Sequence, residues 1–307
     1  MRKAFVQALV KLAEQDPRIL LLTGDLGYLA LEPFAEKFPD RFFNVGVAEQ
    51  NLVGLATGLA EAGFVPYVYS IVPFAVLRPY EFIRNGPIYH HLPVRIVGIG
   101  GGIEYGNDGV SHYGVEDVGV LRLQPGIAVI TPADHEQAGA AFLATRDLPG
   151  PVYYRLGKDD KTVVPGLGGR FEVGRAQVIG HGADLLIVAM GSIAYEAASA
   201  MESLAAQGVS CTMLVVSCVN PPPVEDLAKA LADFPLTLTV EAHYIVGGVG
   251  SLVAEVIAER GLRCSLVRCG LRATPDGRSG SQAYLYQRLG LSSDKIVEQA
   301  LEALRKQ

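Results

Sequence analysis

The sequence predicts an α/β protein built as two doubly wound domains in series. Along the whole chain its apolar residues alternate between helical spacing and short continuous runs, the pattern of βα units winding a parallel sheet. One polar, glycine-rich stretch, "GKDDKTVVPGLGGR" at 157–170, interrupts that alternation and divides the chain in two. With 307 residues, 50% of them hydrophobic, there is enough chain for two cores at ~100–200 residues per domain. The expected organisation is a first domain over 1–157, a linker with little to bury over 158–170, and a second domain over 171–307.

The elements follow in order. Ala4, Phe5, Ala8, Leu9 and Leu12 recur at helical spacing and predict a helix over 2–15, followed by a buried strand in "RILLLT" at 18–23. A strand at 42–44, a helix over about 48–62, a strand at 65–70 and a helix over about 74–90 continue the alternation. After the strand at 93–99 comes a long glycine-rich loop, then a short helix near 115–122, a strand at 127–130, a helix over 134–146 and a strand at 151–155. That makes about six strands in the first domain. Beyond the linker, strands are expected at 184–190, 209–217, 236–240 and 264–267, with helices at about 192–207, 224–233, 248–260 and 294–305.

Composition narrows the function. A net charge of −6 with acids and bases interspersed offers no basic stripe for nucleic acid. Mean hydropathy is +0.27, yet no apolar run reaches the ~18 residues of a membrane span, and "MRKA" leads into an amphipathic stretch, so a soluble cytoplasmic protein is expected. Cys211, Cys218, Cys264 and Cys269 show no C-x-x-C spacing and are read as buried thiols. No G-x-G-x-x-G follows a strand, and there is no P-loop, no G-x-S-x-G and no H-E-x-x-H. The chemistry has to come from elsewhere.

One stretch offers it. In "NVGVAEQN", Asn44 to Asn51, an apolar strand turns into a helix and Glu49 falls in the helix's first turn. An arbitrary carboxylate there does no more than answer the helix dipole. On the helix that follows, Leu52, Leu55, Ala56 and Leu59 form one apolar face, while Gly54 and Gly58 leave a flat strip open to another backbone.

In context the stretch resembles the cofactor-glutamate turn of transketolase and its thiamine-diphosphate relatives. Further segments match in the same order: "RKA" from Arg2, "GDL" from Gly24, "GFVPYVYSIVPF" from Gly63, "NDGVSHYGVED" from Asn107, "ITPAD" from Ile130 and "YYRLG" from Tyr153. "EAHYIVGGVGSLVAEV", from Glu241, resembles that family's C-terminal domain. The resemblance implies a pyrimidine-binding domain followed by a transketolase C-terminal-like domain. It implies that Glu49 faces N1′ of the cofactor's pyrimidine and promotes its imino form, aided by an apolar pocket that raises the carboxyl's pKa. By register it places Phe74 as the aromatic stacking on that ring, Asp25 near the cofactor, and Ile71 and Leu77 at lining positions often aromatic in transketolase.

On the substrate side the resemblance makes His112 a residue that binds or deprotonates the ketose hydroxyl, with Asp108 reading the next one. It makes Arg155 a grip for the substrate phosphate, joined by Arg2 and Thr23. His90, His91, His135, His181 and His243 are read as ordinary loop histidines. One departure concerns the channel: register from Asp108 sets Gly100 or Gly101 where transketolase carries a phosphate-binding histidine.

The family's metal loop begins "GDG", and that triplet is absent here, with Met1 falling at the start of the pyrimidine domain. No residue of the chain is assigned as a metal ligand. The resemblance therefore implies half an enzyme, the C-terminal subunit of a split transketolase that moves a two-carbon ketol unit. Its thiamine diphosphate and Mg²⁺ (or Ca²⁺) would be held mainly by an N-terminal partner in an α2β2 assembly. The β subunit of a 2-oxo acid or acetoin dehydrogenase, a deoxyxylulose-phosphate synthase relative, and a non-catalytic scaffold subunit are the alternatives.

Overall fold

A computed structural model describes all residues 1–307 and contains two parallel-type sheets flanked by helices. The first domain runs α1 (Arg2–Gln15), β1 (Ile19–Thr23), α2 (Glu32–Lys37), β2 (Phe42–Asn44), α3 (Glu49–Glu61), β3 (Val65–Ile71), α4 (Val72–Val76), α5 (Tyr80–Ile83), β4 (Arg95–Ile99), α6 (Asp117–Arg122), β5 (Ala128–Ile130), α7 (His135–Thr145) and β6 (Val152–Leu156). The second runs β7 (Ala176–Ile179), β8 (Leu185–Met190), α8 (Ala194–Ala205), β9 (Cys211–Val216), β10 (Cys218–Asn220), α9 (Val224–Asp233), β11 (Leu236–Tyr244), α10 (Val249–Arg260), β12 (Ser265–Leu271), α11 (Gln282–Leu289) and α12 (Ser293–Leu304). No helix is long and apolar enough to cross a membrane.

The first sheet has seven strands in the order β10-β5-β6-β4-β3-β1-β2, all parallel except the edge strand β10. Strands buried on both faces read as unbroken apolar runs, as β1 and β4 do. In such a sheet ligands lie beyond the carboxyl ends of the strands. The loops that leave β1, β2, β3, β4 and β6 at that end carry Asp25, Glu49, Phe74, the 100–112 segment and Lys158 respectively. The fold therefore collects residues far apart in sequence on one rim.

Four expectations change. The helix expected over 74–90 is broken into α4, α5 and a wide turn over Arg84–Ile88, because Pro73, Pro79 and Pro87 each remove a backbone donor. The 209–217 run forms β9 alone, and a further strand directly after it, β10, leaves its own domain to pair antiparallel with β5. Edge strand β7 and helices α2 and α11 were not foreseen. The 158–170 stretch has more to bury than expected, since Val164 and Leu167 are fully covered by the second domain's core.

The two domains are fastened by a buried polar seam. The Arg155 guanidinium pairs with Asp117 at 2.9 Å and donates to the carbonyls of Gly114 and, across the seam, Ala242. Tyr153 Oη donates to the same Asp117 carboxylate at 2.6 Å. His243, read from sequence as a loop residue, is buried and takes the Gly119 N–H on Nε2 while Nδ1 faces the Tyr244 carbonyl, which fixes a neutral tautomer. Cys211, Cys218 and Cys269 are buried, Cys264 is half-buried, and all four are free thiols.

Candidate active site

Glu49 opens α3, and its side chain is only 2% exposed. Ser70, near the end of β3, donates its hydroxyl to Oε1 at 3.2 Å, and Arg78 donates Nη1 to Oε2 at 2.9 Å. The pocket is thus less apolar than the sequence suggests, for the carboxylate has a charged partner. Leu52, Val53, Val68, Ala75 and Pro79 close around it. Gly24 keeps the floor open: a Cβ there would meet the Gly46 carbonyl at 3.3 Å and Glu49 Oε1 at 3.8 Å.

Arg78 does a second thing. Its guanidinium carbon lies 3.9 Å from the centroid of the Phe74 ring, so one flat cation is stacked on the aromatic and bonded to the acid at once. Phe74 in turn meets the His112 imidazole edge-on at 5.0 Å, and His112 lies 6.2 Å from Tyr105. Glu49, Phe74 and His112, all singled out from sequence, therefore stand in one row. Ile71 caps α4 beside Phe74, and Leu77 is exposed. Asp108 is exposed in the short turn just before the one holding His112.

Asp25 is held in a left-handed conformation at φ 59°, with Leu29 at φ 61° in the same loop, a concentration of backbone strain beside Glu49. Asn44 locks the loop in place by exchanging hydrogen bonds with the Asp25 backbone and carboxylate and capturing the Gly46 N–H. Tyr28 Oη donates to the Asp25 carboxylate at 3.1 Å.

Two residues expected at the substrate also hold partners within the chain. Thr23 is buried, and its hydroxyl closes the loop onto the Leu26 carbonyl at 2.9 Å. Arg155 is buried in the domain seam, where Nε pairs with Asp117 and Nη2 donates to two carbonyls, while Nη1 has no hydrogen-bond partner within the chain. Its ion partner sits thirty-eight residues away in sequence, and no local signal reveals it. Arg2, at the start of α1, forms no ion pair, and its Nε is out of solvent without a hydrogen-bond partner. Sequence reasoning missed Ser70, Arg78, Asn44, Tyr105 and Lys158; the serine, asparagine and arginine lay inside or beside quoted motifs, and polar residues at strand ends were the available signal.

This row, a buried acid at a helix start beside a half-buried aromatic at the strand ends of a doubly wound domain, defines the class. The family models for the transketolase pyrimidine-binding domain and the transketolase C-terminal domain match residues 1–162 and 174–296. The chain belongs to the transketolase family, whose members depend on thiamine diphosphate, and it corresponds to the family's C-terminal section. It is 36% identical to a Methanocaldococcus jannaschii protein provisionally named a transketolase C-terminal section, across 100% of this chain and 97% of that one. It is 35% identical to one of the subunits of the apulose-4-phosphate transketolase of Actinobacillus succinogenes, covering 88% of this chain and 87% of that one. Among solved structures, a split-gene transketolase described as an inactive β4 tetramer superposes with a TM-score of 0.89 at 34% identity, over 99% of this chain and 98% of that one.

Proposed function

We propose that this chain is the cofactor-facing half of a ketol transferase. With an N-terminal partner, most simply as α2β2, it moves a two-carbon ketol unit from a ketose to an aldose acceptor. Thiamine diphosphate and its Mg²⁺ (or Ca²⁺) are held mainly by that partner. The observation that carries this reading is the Glu49–Arg78–Phe74 stack. The acid and the aromatic already accept a flat group that hydrogen-bonds to one and stacks on the other, and an aminopyrimidine can do both, with a proton shared between its ring nitrogen and the carboxyl. The residues fit the group.

When bound, thiamine diphosphate supplies the nucleophilic carbon that takes up the two-carbon unit. In this chain, Glu49 holds and shares a proton at the pyrimidine nitrogen, shielded from water by its apolar surround. Phe74 orients the ring, with Ile71 at its border, and Asp25 stands in the neighbouring strained loop. His112 takes or returns a proton at a substrate hydroxyl, and Asp108 binds the next one. The relatives matched over nearly their whole length are named as transketolase sections or subunits, which favours sugars over 2-oxo acids as donors.

Support for a partner comes from the surface around the acid. Val47, Leu55, Leu77 and Phe82 are exposed beside it, and a Cβ on Gly58 would meet nothing within 4 Å. The test is to combine the chain with its N-terminal partner and assay ketol transfer from ketoses and from 2-oxo acids. Transfer from ketoses by the pair, and by neither chain alone, is expected. Activity confined to 2-oxo acids would move the assignment to a dehydrogenase β subunit.

Arg78 gives a second expectation. It occupies the surface that the ring needs, so it must swing out when the ring arrives. Arg78 is 43% exposed, so its solvent-screened pair with Glu49 is worth at most about 1 kcal/mol. Arg78→Met should then tighten thiamine diphosphate binding by the complex about two- to fivefold in calorimetry. Weaker binding would show that Arg78 supports the site instead of covering it.

A further inference from the structure

At the opposite end of the first sheet from Glu49, the amino ends of β1, β3 and β4 open into a cavity of about 400 Å³. Ile19, Val65 and Arg95, the first residues of those strands, line it together with Tyr67 and the turn that follows α7. At ~3.3 Å per residue along the strands, the cavity stands roughly 15–25 Å from the candidate active site.

Arg95 is only 1% exposed, and no carboxylate pairs with it. Its Nη1 donates to the Gly150 carbonyl and its Nη2 to those of Arg146 and Leu148, so it caps the carboxyl end of α7. Its Nε is out of solvent with no hydrogen-bond partner. Capping explains the two Nη groups but leaves a full positive charge buried with only carbonyl dipoles to answer it, a costly arrangement. Tyr67 is buried beside it, and its hydroxyl makes no hydrogen bond within the chain; burial pushes that phenol up, so it stays a donor. Arg18 and Arg146 stand exposed at the mouth, each paired with a near neighbour in sequence, Asp16 and Asp147. The lining thus sets three guanidiniums against two carboxylates, and the buried cation is the unpaired one. Leu12, Ile19, Val65 and Leu148 give the walls their apolar part.

We propose that this cavity is a binding site, separate from the one around Glu49, for a small organic monocarboxylate whose charge meets Arg95 and the Tyr67 hydroxyl and whose apolar body lies against Leu12, Ile19 and Val65. A guanidinium suits the planar pair of carboxylate oxygens, and the phenol adds an O–H. One unpaired cation balances one negative charge, whereas a phosphate dianion would bring a second charge with nothing buried to answer it. A polar anchor in a largely apolar hollow of this volume is the usual form of a small-molecule site. The site stands whether or not the chain transfers ketol units.

Calorimetric titration of the full chain with 3-phenylpropanoate and 4-methylpentanoate is the test, with the neutral 3-phenylpropanamide and inorganic phosphate as comparators. At least one carboxylate should bind saturably, one per chain, and about tenfold or more tighter than either comparator. Val65→Phe, which fills the cavity from the start of β3 and leaves the Arg95 hydrogen bonds alone, should weaken that binding about tenfold while the chain stays folded. Arg95→Gln should weaken it as much. Because that variant also loses the cap on α7, Tyr67→Phe, which removes only an unpartnered hydroxyl, keeps the test decisive if Arg95→Gln does not fold, and should weaken binding about threefold. Neither carboxylate binding below ~10 mM, an amide or phosphate that binds as tightly, or carboxylate binding that ignores both Val65→Phe and Tyr67→Phe overturns the inference.

Discussion

Glu49→Gln in the assembled complex is expected to lower kcat for ketol transfer by ~10²–10⁴-fold, the range for loss of a positioned proton-transfer group. The substitution keeps shape and burial and removes only the ability to hold and release a proton, so the fold should survive. Ser70 and Arg78 both donate to the carboxylate, and Gln can still accept one such bond, so little packing is lost. Thermal unfolding of the variant should therefore stay near that of the parent while turnover collapses. Unchanged turnover would support the alternative of a non-catalytic subunit that has merely kept the fold.

The second large effect is on stability. Asp117→Ala leaves the Arg155 guanidinium buried with its ion partner gone, facing the Gly114 and Ala242 carbonyls and the Tyr153 hydroxyl. Breaking a buried pair from one side costs about 3–5 kcal/mol, a fall in melting temperature on the order of 10 °C for domains of this size. Removing both charges at once, as in Asp117→Leu with Arg155→Met, should recover part of that loss because no charge is stranded. If Asp117→Ala melted with the parent while raising KM for a phosphorylated sugar, Arg155 would be a substrate grip after all.

The same pair marks the boundary of what the sequence discloses. Glu49 and Phe74 could be singled out because each sits in a continuous strand-turn-helix segment, and it was the resemblance of those segments to the family, not their local pattern alone, that pointed to them. The setting of Arg155 was not legible, because its partners are Asp117 on another element and Ala242 in the other domain. Arg78 carries no periodic signal, and only the folded chain brings it over Phe74. His243 resembled any loop histidine until β11 carried it to the amide of Gly119. Among the elements, long strands such as β8 were plain, whereas β7 and β10 are edge strands of four and three residues, too short for alternation to show. The helix after β3 failed for a reason the sequence did contain, since Pro73, Pro79 and Pro87 stand inside it.

The central claim is that the Glu49–Phe74 surface is one half of a cofactor site completed by another chain. Calorimetric titration of thiamine diphosphate with Mg²⁺ into this chain alone, into the partner alone and into their mixture tests it most directly. The account predicts tight binding in the mixture, with one cofactor for each copy of this chain and loss of affinity in Glu49→Ala. Binding by this chain alone as tight as by the mixture, or binding by the mixture that ignores Glu49, would contradict it.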